Sequence, residues 1–275
     1  MKPRPFDYVR PDTVDEVLAL LAEHGEDARI LAGGQSLIAM LNLRLIDPAV
    51  LIDISRVGDL AGIRDRGDAV EIGAALTQNA LLAWPPLQEK LPLVAAALPF
   101  VGHFQTRNKA TVCGSIAHAD PSAELPLVLA TLGGEVVLRS QRRGERRIAA
   151  ADFQKDMLAT AREPDELIVA ARFPVTAGQG AAFREVARRH GDFAIVAVAA
   201  VSTGQWMNVG LGGMGSRPNV TGIRLDGERH LADWFEQWLA TLDAYDDLHA
   251  SAAMRRDICR RLGPQVLAEA RRCAA

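Results

Sequence analysis

A short, mostly apolar run that ends at two adjacent glycines is the feature that most constrains the fold. Residues 28–31 form this run, Gly33 and Gly34 follow it, and apolar residues then recur at helical spacing over residues 37–45. Such a pattern predicts a strand, a glycine turn and a helix. Residues 13–24 predict a preceding amphipathic helix that Gly25 ends, and residues 50–54 predict a second strand. The chain is therefore expected to begin with a parallel α/β portion.

Beyond about residue 58 the pattern changes to shorter segments separated by turns. Strands are predicted at residues 69–72 and 166–173, with helices at 77–83 and 91–98. Residues 135–138 and Ile148 predict a hairpin around a charged turn at 142–147. Residues 174–180 are rich in turn-forming residues and predict a domain boundary.

After this boundary the sequence predicts three antiparallel strands, at 181–188, 194–201 and 207–214, and helices at 231–242 and 250–270. The expected fold class is α+β with an N-terminal α/β portion. The expected domains are 1–175, with subdomains of about 1–57 and 58–175, and 176–275, which combines a three-stranded antiparallel sheet with helices.

Charge and cysteine content exclude several functions. The chain has 31 Lys and Arg against 34 Asp and Glu, a net charge of -3, and no basic stripe of the kind that binds nucleic acid. Its three cysteines are widely spaced, so no metal site is expected in this chain. The polar start and the lack of a long apolar stretch predict a cytoplasmic protein without a membrane segment.

The first candidate site is the segment from Ala32 to Ser36, between the predicted strand and helix. Adjacent glycines let backbone approach a ligand, and N–H groups at a helix start are a natural seat for a pyrophosphate. The segment matches neither the Gly-x-Gly-x-x-Gly pattern nor a phosphate loop that ends in Lys-Ser/Thr. A purely structural glycine turn is the alternative.

The second candidate site is the segment 111–121, followed by Glu124. It combines small residues and hydroxyls, which suit the wrapping of a phosphate or a ribityl chain. A turn-rich connection that ends at Asp120 and Pro121 is one alternative. A nucleophile and base formed by Cys113 and His118 is another, although no third orienting group is evident.

The two candidate sites, taken with motifs along nearly the whole chain, resemble the FAD-binding medium subunits of the molybdenum hydroxylase family. This family includes carbon monoxide dehydrogenase medium subunits and is similar to the flavin domain of xanthine dehydrogenase. The motifs that carry the resemblance are Pro5-Phe6-Asp7-Tyr8, Leu43-Arg44-Leu45, Leu51-Ile52-Asp53-Ile54, Arg107-Asn108-Lys109-Ala110-Thr111, Pro164-Asp165-Glu166-Leu167-Ile168, Ala182-Phe183-Arg184, Arg188-Arg189-His190-Gly191-Asp192-Phe193-Ala194 and His249-Ala250-Ser251.

The resemblance implies a two-part FAD-binding domain of the vanillyl-alcohol-oxidase type. It implies that Ile30 to Leu37 and Thr111 to Ser115 run along the FAD diphosphate, that Glu124 hydrogen-bonds the cofactor and that Phe193 lies near the isoalloxazine. The complete set of implied FAD-binding residues is Ile30, Leu31, Ala32, Gly33, Gly34, Gln35, Ser36, Leu37, Val101, Thr111, Cys113, Gly114, Ser115, Ala117, Asp120, Glu124, Ile168, Arg184 and Phe193.

The resemblance also implies partner chains. A large subunit would carry the molybdenum cofactor, and a small subunit would carry [2Fe-2S] clusters that pass electrons to the FAD of this chain, in a dimer of heterotrimers. An N-heteroaromatic or related small molecule is the expected substrate, and no catalytic residue is nominated. Two departures from the family pattern are Cys113, where a glycine is usual, and Met254, where a tyrosine is frequent.

Two functions of other classes remain open at this point. A self-sufficient flavin reductase or oxidase of the same fold would turn over a substrate when purified alone. A nonenzymatic nucleotide-binding or assembly subunit would be colourless if Cys113 abolished flavin binding.

Overall fold

The computed structural model describes residues 2–225 and 231–274, and its first part is a small parallel unit. Its elements are β1 (Asp7–Val9), α1 (Val14–His24), β2 (Ala28–Leu31), α2 (Leu37–Asn42) and β3 (Val50–Asp53). The strands lie in the order β1-β3-β2, and both pairings are parallel. The predicted parallel α/β start is confirmed. Helix α2 ends earlier than predicted because Arg44 adopts a φ of +58°.

Thr13 and Glu16 fix where the first helix begins. The Glu16 N–H donates to Thr13 Oγ1, and the Thr13 N–H donates to Glu16 Oε2, each at 3.2 Å. This reciprocal pair is a capping box, which satisfies backbone donors that a helix start leaves free. The apolar face of α1 then packs into the core through Val14, Val17, Leu18 and Leu21.

The second part is a five-stranded antiparallel sheet with short helices around it. Its elements are β4 (Ile63–Asp65), β5 (Ala69–Gly73), α3 (Gln78–Leu82), α4 (Leu87–Lys90), α5 (Pro92–Ala97), α6 (Phe104–Arg107), α7 (Val112–His118), α8 (Glu124–Thr131), β6 (Glu135–Ser140), β7 (Gly144–Ala149), α9 (Ala150–Phe153), β8 (Gln154–Asp156), β9 (Ala159–Thr160) and β10 (Glu166–Pro174). The sheet order is β4-β5-β10-β6-β7, and β8 and β9 form a separate ribbon. Single helical turns occur at Gly25–Asp27, Gly58–Leu60 and Leu98–Phe100.

The charged turn predicted at 142–147 is wrong in extent. Strand β7 begins at Gly144, so Arg146 and Arg147 belong to the strand. This edge strand is exposed, and it can carry arginines because they pair with acids on β6 and β10. The Arg146 guanidinium donates to both carboxylate oxygens of the buried Glu166, at 2.6 and 2.7 Å. A charged sequence therefore forms a strand here, contrary to the usual pattern.

The third part is an antiparallel sheet backed by two helices. Its elements are β11 (Gly180–Val186), β12 (Val196–Ser202), β13 (Trp206–Gly212), β14 (Asn219–Arg224), α10 (Leu231–Ala240) and α11 (Ala252–Arg272). The strand order is β11-β12-β13-β14, so the sheet has a fourth strand that the sequence did not predict. Strand β14 is a short, polar edge strand that contains Gly222, and it lacks the alternation that marks a half-buried strand.

Strand β12 is buried on both faces and joins the two hydrophobic clusters of the molecule. Side chains alternate across a strand. Ala197, Ala199 and Val201 therefore pack against the core of the first two parts, whereas Val196 and Val198 pack against the helices of the third. The third part thus covers the second with one sheet face.

The described residues contain neither a candidate membrane helix nor a candidate metal cluster. None of the helices there is long and apolar enough to cross a bilayer. Within residues 2–225 and 231–274, no three His, Cys, Asp or Glu side chains are grouped so that they could hold a metal ion.

The buried Arg255 anchors helix α11 to the third sheet. Its side chain is 1% exposed, and its guanidinium donates to the carbonyl of Gly213 at 2.8 Å and to the carbonyl of Ile195. The same group pairs with Asp247 and stacks on the Tyr245 ring. One side chain therefore ties three backbone segments together.

Replacing Arg255 by methionine is expected to lower the free energy of unfolding by about 3 kcal/mol, because two buried carbonyls and one carboxylate lose their partner. Urea unfolding of the purified chain measures this loss. The matched control is Arg260→Met, which removes the half-exposed pair with Glu236 and should cost less than about 1 kcal/mol. Equal losses in the two variants would contradict the anchoring role.

Candidate functional site

One cavity of about 930 Å³ lies where the parallel unit meets the antiparallel unit. Its walls come from the segment after β2, from the start of α7 and from the start of β10. The volume is at the upper end of the range of about 300–1,000 Å³ that is typical of small-molecule and cofactor sites. The predicted site segments, distant in sequence, thus meet around one space.

The first segment presents a run of unpaired backbone donors. It connects β2 to α2, and residues 32–37 all lie on the cavity wall. Among the described residues, none accepts a backbone hydrogen bond from the N–H groups of Gly33 to Leu37. Gly34 has a φ of +71°, which turns the chain into α2. Consecutive free N–H groups before a helix are the donor set that suits a phosphate.

The second segment is a helix start, so the expectation of a turn-rich connection is wrong for its first half. Thr111 caps α7, and its Oγ1 accepts a hydrogen bond from the Gly114 N–H at 2.9 Å. Helix formation is favoured here because Val112, Cys113 and Ile116 form one buried apolar face. Gly114 and Ser115, on the opposite side, lie on the cavity wall together with Ala117.

The two segments are in direct backbone contact. A Cβ atom added at Gly33 would lie 2.2 Å from the Lys109 carbonyl oxygen and 2.7 Å from Ala110 Cα. Cβ atoms in real structures essentially never lie so close to other atoms. The backbone at Lys109 and Ala110 therefore requires glycine at position 33. The sequence interpretation assigned this requirement to the ligand, whereas the structure assigns it to the junction of the two segments.

The thiol of Cys113 is buried against strand β5, although the residue also belongs to the cavity wall. Its Sγ lies 3.4 Å from the Ile72 carbonyl oxygen, and burial raises the pKa of the Cys113 thiol to about 12. His118 follows five residues later, about 140° around the helix. A neutral thiol on another face cannot form the nucleophile and base considered above.

Glu124 is a buried acid on the cavity wall, at the start of α8. The pKa of the Glu124 carboxyl is raised to about 8, mainly by burial and to a smaller extent by the nearby Glu185 and Asp120. Glu185, on β11, is itself buried enough that its pKa is raised to about 7. Both carboxyls therefore hold a proton at slightly acid pH, and Glu124 can then donate a hydrogen bond into the cavity.

Three apolar side chains complete the predicted wall. Val101 and Ile168 are buried, and a bulge in β10 between Ile168 and Ala170 turns the strand at this point. Phe193 is 54% exposed and follows Gly191, which has a φ of +83°. A rigid apolar pair and an exposed aromatic ring thus face the same space.

The sequence profile of one family, described as "FAD binding domain in molybdopterin dehydrogenase", matches residues 4–176. The chain belongs to this family. It is 43% identical over 204 residues to the 6-hydroxypseudooxynicotine dehydrogenase complex subunit alpha of Paenarthrobacter nicotinovorans, an alignment that covers 74% of the chain and 69% of the relative. It is 34% identical to the nicotine 6-hydroxylase medium subunit of the same organism, with 98% and 99% covered.

A solved structure gives the same assignment. The crystal structure of the cyanide-inactivated Cu,Mo-CO dehydrogenase contains a chain that superposes with a TM-score of 0.92 at 34% identity, with all of both chains covered. The protein is therefore an FAD-binding medium subunit of a molybdenum hydroxylase-type complex, and the predicted family, fold class and FAD cofactor are confirmed. The unpaired N–H groups and the buried polar side chains of the cavity fit this cofactor.

Three predicted residues of this family site lie elsewhere. The Arg184 guanidinium pairs with Glu269 of α11 at 2.8 Å, because strand alternation turns Phe183 to the core and Arg184 to the other face. Asp120 closes a turn by accepting from the Ser122 N–H at 2.8 Å. Leu31 is within β2 and is not on the cavity wall. The implied contact of Arg184 is thus not supported by its position.

Sequence reasoning missed several polar residues of the wall. Arg29 and Arg162 are neighbours there: burial lowers the pKa of Arg162, and the charge of Arg29 lowers it further. Gln78 is 2% exposed, and its Oε1 has no hydrogen-bond partner among the described residues. Nothing in the sequence distinguishes Gln78 from its polar neighbours Thr77 and Asn79.

Replacing Gly33 by alanine is expected to raise the FAD dissociation constant about 10-fold or more, because the new Cβ forces the two segments apart. A tenfold rise corresponds to a loss of ~1.4 kcal/mol of binding free energy. Titration of the apoprotein with FAD, followed by quenching of flavin fluorescence, measures the change. The control is Gly58→Ala, since a Cβ there meets nothing within 4 Å. Equal affinities in both variants would show that the contact at Gly33 does not shape the site.

The raised pKa values of Glu124 and Glu185 predict that the apoprotein loses stability as pH rises from about 5 to about 8. Each carboxyl binds its proton more tightly in the folded state than in the unfolded state. The resulting stabilisation of the fold is complete at low pH and is lost as pH rises through the folded-state pKa values. Denaturation midpoints between these pH values measure the slope. Glu124→Gln and Glu185→Gln should each reduce it by roughly half, and the double variant should lack this loss of stability. An unchanged slope in the double variant would assign it to other groups.

Proposed function

We propose that this chain is the electron-transfer subunit of a heterotrimeric molybdenum hydroxylase. The substrate would be hydroxylated at the molybdenum cofactor of a large subunit, and a small subunit with [2Fe-2S] clusters would pass the electrons to the FAD of this chain. The FAD, when bound, accepts these electrons and delivers them to an external acceptor. The observation that carries the proposal is one cavity, built by both predicted segments, in a chain of this family.

The proposed task of the chain is to place the cofactor. Residues 30–37 would supply backbone donors to the diphosphate from one side, and Thr111 to Ser115 would bound it from the other. Glu124 would donate a hydrogen bond to the cofactor in its protonated form. Val101, Ile168 and Phe193 would enclose the flavin ring, with the exposed Phe193 at the mouth. The chemistry itself belongs to the cofactor.

An N-heteroaromatic compound, or a related small molecule, is the proposed substrate of the whole complex. Two similar proteins are named for 6-hydroxypseudooxynicotine and for nicotine, which share a pyridine-type ring. The proposed assembly is a dimer of heterotrimers. Within this chain we propose an FAD-binding domain at 1–175, with subdomains of about 1–57 and 58–175, and a C-terminal domain at 176–275. The family match at 4–176 supports this division.

The proposal predicts that substrate bleaches the visible flavin band of the assembled complex but not that of the isolated chain loaded with FAD, because the substrate reacts on another subunit. A panel that includes nicotine tests both preparations anaerobically in a spectrophotometer. Dithionite, which should bleach both, shows that each flavin can be reduced. Substrate-driven bleaching of the isolated chain would contradict the electron-transfer role and favour a self-sufficient flavoenzyme.

A further inference from the structure

Gln78 is a buried polar residue that the contacts of the described chain do not explain. It is 2% exposed and lies on the cavity wall, and its Oε1 has no hydrogen-bond partner among the described residues. Buried polar groups are almost always paired, since an unpaired one costs about 1–3 kcal/mol. The missing partner is therefore expected from whatever fills the cavity.

The backbone holds Gln78 at the junction of the two FAD segments. The Gln78 N–H donates to the Ala110 carbonyl at 2.9 Å, and Thr77 caps the same short helix while it bridges to Thr111. Ala110 is also the residue against which Gly33 packs. Gln78 is thus attached to the chain that leads into the second segment, beside the contact that joins it to the first.

A second buried glutamine shows that the position of Gln78 is distinctive. Gln154 is 3% exposed, and its Oε1 also lacks a partner among the described residues. Its Nε2, however, donates to the Ala119 carbonyl at 2.7 Å and to the Ser216 carbonyl at 3.1 Å, and it is not on the cavity wall. Gln154 is held by the protein, which makes it a matched comparison.

The chemistry of a carboxamide selects among the parts of FAD. Its oxygen accepts and its nitrogen donates, whereas a phosphate can only accept. A hydroxyl both donates and accepts, so it can donate a hydrogen bond to the unpaired Oε1 of Gln78. The ribityl chain, which is joined to the diphosphate, carries three such hydroxyls. If the two segments hold the diphosphate, a residue at their junction is placed to reach this chain.

We propose that Gln78 is a third FAD-binding element, whose side-chain amide hydrogen-bonds a ribityl hydroxyl next to the diphosphate. The proposal rests on the proposed assignment of residues 30–37 and 111–115 to the diphosphate. It makes Gln78 a binding and positioning residue, because fixing the ribityl chain fixes where the flavin ring lies.

The test is Gln78→Met in the full chain, which keeps the length of the side chain and removes its polar end. The FAD dissociation constant should rise about 10-fold, since a buried hydrogen bond to the ligand is lost. The thermal midpoint of the apoprotein should stay the same or rise, since an unpaired buried group has been removed. Gln154→Met should instead lower this midpoint. A fall in the apoprotein midpoint of Gln78→Met with unchanged FAD affinity would overturn the proposal.

Deoxyribityl FAD analogues, each lacking the 2′, 3′ or 4′ hydroxyl, identify the partner. With the analogue that lacks the bonded hydroxyl, wild type and Gln78→Met should bind equally. The same loss with FAD and all three analogues would place the contact on a part of FAD other than the ribityl chain and overturn the proposal. If Gly33→Ala weakens FAD binding and Gln78→Met does not, the role of Gln78 alone fails. The wild-type chain binds FAD in this test. If neither variant binds FAD more weakly than the wild type, the diphosphate assignment fails, and the proposal fails with it.

Discussion

The site depends on one backbone contact, that of Gly33 with Lys109 and Ala110. It joins a parallel unit, whose strand ends at the glycines, to an antiparallel unit, whose helix begins at Thr111. Each unit alone offers a helix start and a few free N–H groups. Held against each other, they enclose a cavity with donors from both sides. Only glycine allows this approach, so the ligand site and the packing of the two units share one requirement.

Regular periodicity made most of the fold predictable. Strands β2, β3 and β12 and helices α1 and α11 bury continuous or evenly spaced apolar residues, and such spacing depends on local geometry alone. The exceptions have tertiary causes. Strand β7 is held by ion pairs to acids on β6 and β10, β14 is an edge strand that pairs with β13, and α7 is stabilised by the burial of Cys113 under the β5 carbonyl of Ile72. The acid on β10 and the carbonyl of Ile72 are distant in sequence, and β14 carries no apolar alternation of its own.

The candidate site was predictable to the extent that backbone motifs define it. Glycines and hydroxyls at a strand-to-helix turn are visible in one sequence, and they line the cavity. Single polar side chains of the site could not be predicted in this way. Gln78 and Arg162 belong to the site only because the fold buries them beside segments that are distant in sequence. Arg184 shows the converse. A motif places it beside Phe183, but alternation along β11 sends the two side chains to opposite faces.

The third part of the chain contributes to the electrostatics of the site although its sheet lies behind the wall. Gly210 of β13 lets Thr131 and Leu127 of α8 pack directly on the sheet, since a Cβ there would lie 2.1 Å from Thr131 Oγ1. All residues of α8 are buried, including its first residue, Glu124. This burial is the largest cause of the raised pKa of the Glu124 carboxyl, and Glu185, on β11 of the same sheet, adds to it. A carboxyl that is neutral near pH 7 can donate a hydrogen bond to a cofactor, whereas an ionised one would repel the diphosphate. Through Glu185, the C-terminal sheet therefore favours a donor over a negative charge at this position of the wall.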